Sequence, residues 1–66
     1  MNLTAVMLLK YVKEKNPYKD EDYCKTRSSE IWYRYGEKAV KKAMNHSACT
    51  SLSELERLAK AFNNEA

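Results

Sequence analysis

Ser28–Met44, SSEIWYRYGEKAVKKAM, is the stretch whose reading decides the fold. It holds the only Trp, the only Gly and four of the twelve Lys and Arg residues, so core and charged surface must both be arranged around it. On a helix at ~100° per residue, Trp32, Gly36, Ala39 and Ala43 share one face, flanked by Tyr35 and Val40. Arg34, Glu37, Lys38 and Lys41 fall opposite. The run Trp32-Tyr33-Arg34-Tyr35 points four ways around the axis, so its three aromatics cannot all enter one core. Tyr33 and Arg34 are expected outside it. Gly36 within such a helix costs roughly 1 kcal/mol relative to Ala, and its small neighbours Ala39 and Ala43 point to close approach of another helix.

Before this stretch, Asn2 is a helix cap for a segment running to about Lys15. Ala5, Leu8, Leu9 and Val12 form one apolar stripe there, and Leu3, Met7 and Tyr11 form a second beside it. Asn16-Pro17 ends that helix, because the residue before proline avoids helical backbone. Pro17–Arg27 reads equally as a loop or as a short extra helix, with Asn16 as its cap and Pro17 in the first turn. The stripe Cys24, Ser28, Ile31, Tyr35 would even carry one helix on from about Asp20. A break at Ser28 or Ser29, where a hydroxyl can cap, is the preferred reading.

After it, Asn45–Thr50 is a turn by composition. Ser51 with Glu54 three positions on is a capping box opening the last helix, whose Leu52, Leu55, Leu58, Ala59 and Phe62 recur on one face. The expected fold is all-α: one domain over 1–66, a small antiparallel three-helix bundle with helices at about 3–15, 29–44 and 51–63, and either a loop or a short extra helix at about 17–27. The core is expected to use Val6, Leu8, Leu9, Val12, Ile31, Trp32, Tyr35, Ala39, Val40, Leu52, Leu55, Leu58 and Phe62.

Composition narrows the function. A chain of 66 residues sits near the lower size limit for folding without staples, which leaves little room for a water-excluding catalytic pocket. Two cysteines, Cys24 and Cys49, do not make a disulfide scaffold. The N-terminus lacks the basic region and cleavage site of a signal peptide, and its apolar run is too short to span a membrane. A reducing, cytoplasmic setting with both thiols free is therefore expected. His46 and Cys49 with a distant Cys24 fall short of a structural zinc set, and no partner orients them for nucleophilic catalysis. Asp20, Glu21 and Asp22 lack calcium-loop spacing. No enzyme activity, cofactor, metal, membrane or small-molecule substrate is expected.

Binding remains. Trp, Tyr and Arg dominate interface hot spots, and here they form one run that a helix must display in several directions. The expected function is a small regulatory or inhibitory protein that binds a larger protein, or a second copy of itself, through Tyr33, Arg34, Lys38 and Lys41. The alternative is nucleic-acid binding through Arg27, Arg34, Lys38, Lys41 and Lys42, with Tyr33 stacking on a base. The net charge of +3 serves either partner. Glu54 and Glu56 argue against the last helix as a reader of DNA, because they would face phosphate.

Overall fold

A computed structural model describes Asn2 to Glu65, and among these residues the fold is all-α. Four helices follow one another: α1 (Leu3–Lys15), α2 (Glu21–Tyr35), α3 (Glu37–Met44) and α4 (Leu52–Glu65). α1 begins as its sequence requires. The Asn2 side-chain oxygen accepts from the backbone N–H of Thr4 at 2.9 Å and of Ala5 at 3.2 Å, satisfying donors that have no partner within the helix. At the other end the Asn16 amide donates back to the Val12 carbonyl at 3.0 Å. Asn16 thus closes α1 and does not open the next helix. The turn through Pro17 leads to Asp20, whose carboxylate accepts from the Tyr23 N–H at 2.8 Å and caps α2.

The middle of the chain divides at a different place from the expected one. α2 runs straight through Ser28 and Ser29, and the helix expected over 29–44 is two helices meeting at Gly36. Ser28 caps nothing. Its hydroxyl donates to the Lys25 carbonyl one turn back at 3.0 Å, a bond made inside a helix, and its small side chain is buried. Cys24, Ser28 and Ile31 form one continuous buried face, so burial outweighs the serines' weak preference for a cap.

Gly36 takes φ +92° and ψ 162°, a region essentially closed to residues with a Cβ. Its N–H closes α2 on the Trp32 carbonyl at 2.9 Å, and its own carbonyl accepts the first bond of α3, from the Val40 N–H at 3.0 Å. No neighbour lies within 4 Å of where a Cβ would stand. The close approach expected at Gly36 is absent; the glycine is there for its backbone angles.

α1 and α2 are antiparallel, with Lys13 and Glu21 bridged at 3.0 Å beside the turn. α3 packs most extensively against α4, with Lys42 of α3 lying over the Phe62 ring of α4. The Ser51 hydroxyl caps α4 by accepting from the Glu54 N–H at 3.2 Å, which is one half of a capping box. The Glu54 carboxylate turns to Arg57 instead of back to Ser51.

The buried core comprises Leu8, Val12, Cys24, Ile31, Ala39, Val40, Ala43, Leu55 and Ala59. Leu9, Trp32, Tyr35, Leu52, Leu58 and Phe62 pack around it as partly buried residues. Val6 falls outside this cluster. Three alanines and a cysteine occupy central positions because helices this short fill the middle by approaching closely, without large side chains.

Candidate partner-binding surface

The residues singled out from the sequence do not gather into one site. Tyr33, near the end of α2, is 86% exposed. Trp32 beside it is half-buried and packs on the core, as the 100° step between consecutive helical residues requires. Both line a shallow groove of about 200 Å³ between α1 and α2, floored by Ala5, Leu8, Ser28 and Ser29. Lys38 and Lys42 instead border a separate depression of about 560 Å³ at the Gly36 break, with Tyr35, Phe62 and Asn63. Arg34 and Lys41 are exposed and line neither hollow.

Arg27 is committed elsewhere. Its guanidinium pairs with Glu56 of α4 and lies 3.8 Å from Glu30. It therefore ties α2 to α4. Glu30 in turn pairs with Arg27, not with Arg34 as helical spacing alone would allow.

The charge distribution is the clearest feature. Between Arg34 and Lys42 there are four cations and one anion, while the other eight cations of the chain are balanced by eight anions. The whole excess of +3 thus resides on the end of α2 and on α3. Glu37, Lys38, Lys41 and Lys42 occupy the exposed side of α3, opposite buried Ala39, Val40 and Ala43. Among the described residues none of Arg34, Lys38, Lys41 and Lys42 forms an ion pair, whereas Lys13, Arg27 and Arg57 do.

Exposed apolar side chains add a feature outside the expected binding residues. Leu3 is 77% and Met7 51% exposed. Met7, Lys10, Tyr11, Glu14 and, from α3, Met44 surround a third hollow of about 230 Å³. The signal was present in the second stripe Leu3, Met7, Tyr11. α1 turns its Thr4, Leu8, Val12 face inward, and among the described residues no helix covers Leu3 and Met7.

His46 acts locally, its Nδ1 accepting from the Ala48 N–H at 3.0 Å and shaping the turn. The Cys49 thiol lies 3.3 Å from the Tyr11 hydroxyl. Burial, then the hydrogen bond with Cys49 and the electrostatics of Cys49 and Glu14, push the Tyr11 phenol up to about 12. The exposed Glu21 carboxyl is held below its usual range by its hydrogen bond to Lys13. Among the described residues, no cluster of three or more His, Cys, Asp or Glu could hold a metal, and no helix is long and apolar enough to cross a membrane. Compared with protein-family models, curated proteins and solved structures, the chain matches none.

Proposed function

We propose that this protein is a small non-catalytic regulatory or inhibitory module of the cytoplasm that binds a larger protein through the end of α2 and the outer side of α3. The observation that supports this reading is the concentration of the entire excess charge on unpaired side chains from Arg34 to Lys42. Nearly full exposure of Tyr33 beside them adds an aromatic anchor. Exposed charge that serves an internal ion pair contributes to the fold only slightly, and among the described residues these four cations serve none.

The same stripe supports nucleic-acid binding as a second reading, because unpaired lysines neutralise phosphate equally well. Engagement of Arg27 with Glu56 removes one of the five cations that reading would use. The exposed Leu3 and Met7 offer a phosphate backbone nothing, whereas they are useful to a protein partner.

The test is affinity capture with the tagged full chain, run with and without nuclease and repeated with Tyr33→Ala and with Lys38→Glu/Lys41→Glu. A protein partner retained after nuclease, and lost with either variant, is the expected result. Loss of all partners on nuclease treatment would refute the protein reading in favour of the nucleic-acid one.

A further inference from the structure

Two methionines on different helices, Met7 of α1 and Met44 of α3, border the same hollow, with Tyr11 as its aromatic wall. Methionine adapts its unbranched, polarisable side chain to varied apolar partners, which suits a binding surface. Each methionine has a lysine three positions away on its own helix, where side chains are neighbours: Lys10 beside Met7, and Lys41 beside Met44. Both lysines are exposed and free of ion pairs among the described residues. Along α1 the strip runs from Leu3 and Met7 to Lys10 and then Glu14, so it passes from apolar to cationic and ends on a single carboxylate.

Resting on the protein-binding reading above, we propose that this strip docks an amphipathic helix of the partner protein, with Leu-, Ile- or Phe-type side chains facing Met7 and Met44 and Asp or Glu along its edges. Charge decides between this occupant and a second copy of the chain. Two copies placed face to face would bring together the α3 stripes, each with three lysines to one glutamate, and like charges at close range oppose association. An acidic edge meets Lys10 and Lys41 favourably and extends toward Lys38. Glu14 sets the direction of docking, because it disfavours an acidic residue at that end.

The experiment selects 16-residue helical peptides, displayed on phage, against the full-length chain, and then measures the selected peptides by fluorescence anisotropy. Enriched peptides should carry apolar residues at helical spacing with acidic flanks. Their affinity should fall about tenfold or more with Met7→Ser/Met44→Ser. The exposed pair Lys10→Glu/Lys41→Glu, which leaves the core intact, should weaken them similarly, and Glu→Lys in the peptide should restore binding to that variant. Neutral or basic selected peptides would overturn the proposal, as would acidic ones indifferent to these four positions. Equal competition by a 20-nucleotide single strand or by anionic vesicles would also overturn it. So would a dimer in sedimentation that Met7→Ser dissolves, since the strip would then belong to a second copy. Peptides that depend on Tyr33 but not on Met7 and Met44 would sink this docking site while leaving the broader protein-binding reading standing.

Discussion

Gly36→Ala changes stability in opposite directions for the two ways of reading the middle of the chain. In one helix over 29–44, alanine would replace a poor helix former and stabilise by about 0.8–1 kcal/mol. At φ +92° and ψ 162° the same substitution is strained, because L side chains rarely adopt that backbone. With no atom within 4 Å of the added methyl, the cost is conformational and not a clash, and such strain is worth of order 1–3 kcal/mol. A domain of this size shifts its Tm by about 4–8 °C per kcal/mol, so Gly36→Ala should melt roughly 4–24 °C below the parent. Gly36→Asn should fare no better, because asparagine tolerates the left-handed helical region but not this extended one. The assay is a urea titration with a thermal melt followed by circular dichroism. An alanine variant as stable as the parent, or more so, would refute the break at Gly36 and with it the placement of Lys38 and Lys42 relative to α2.

Three further expectations can be checked on the same equipment. Ile31→Ala should cost about 2–5 kcal/mol, because its side chain is fully buried, whereas Tyr33→Ala and Arg34→Ala should change folding by no more than about 0.5 kcal/mol; a urea midpoint for Tyr33→Ala as low as that for Ile31→Ala would end the case for Tyr33 as a surface anchor. The Tyr11 phenol titrates ordinarily at 10.0 when unfolded and at about 12 when folded, so the folded state holds this proton more tightly and its contribution, complete below about pH 10, is lost as pH climbs through 12. Tyr11→Phe should abolish that part of the alkaline decline, and identical declines for parent and variant would show the phenol unperturbed. Thermal melts with and without reductant should coincide, since Cys24 and Cys49 are free thiols, and an internal bridge found by mass spectrometry would contradict this.

The ends of the molecule were legible in the sequence because each boundary there has its own chemical marker. Asn2 can cap, Asn16-Pro17 must stop a helix, and Ser51 can cap, and each does so. The middle was not legible because serine and glycine are ambiguous there. A serine in a helix either caps or bonds back to the preceding turn, and only burial decides; Ser28 is buried, so it bonds back. A glycine after an aromatic run reads as close packing or as a break, and the letter carries no φ. The start at Asp20 was legible only as the alternative offered by the stripe Cys24, Ser28, Ile31, Tyr35, because the Asn16-Pro17 start and a cap at Ser28 read more strongly. For the candidate surface, the outward position of Tyr33 follows from the angle between adjacent residues once Trp32 is inward. The pairing of Arg27 with Glu56 could not be read, since those residues lie 29 positions apart and meet only when α2 and α4 are in place.

That pairing separates the cations that hold the fold from the cations that remain available. Lys13 and Arg27 join α1 to α2 and α2 to α4, so they are used at the junctions between helices. Arg57 pairs within α4. α3 needs no such bond, because alanine and valine at 39, 40 and 43 bury one side of it completely against its neighbours. Among the described residues its lysines form no ion pair, although Lys42 lies over the Phe62 ring of α4, and eight residues could form a stable isolated helix only with difficulty. The packing of Ala39, Val40 and Ala43 keeps α3 helical, and Gly36 releases it from the direction of α2. Together these hold Lys38, Lys41 and Lys42 on one outward side, at fixed spacing. Replacing Lys38 and Lys41 by glutamine should then leave the urea midpoint almost unchanged while removing two of the three excess positive charges. A large loss of stability would mean that the lysines belong to the fold, and the binding argument would lose its main support.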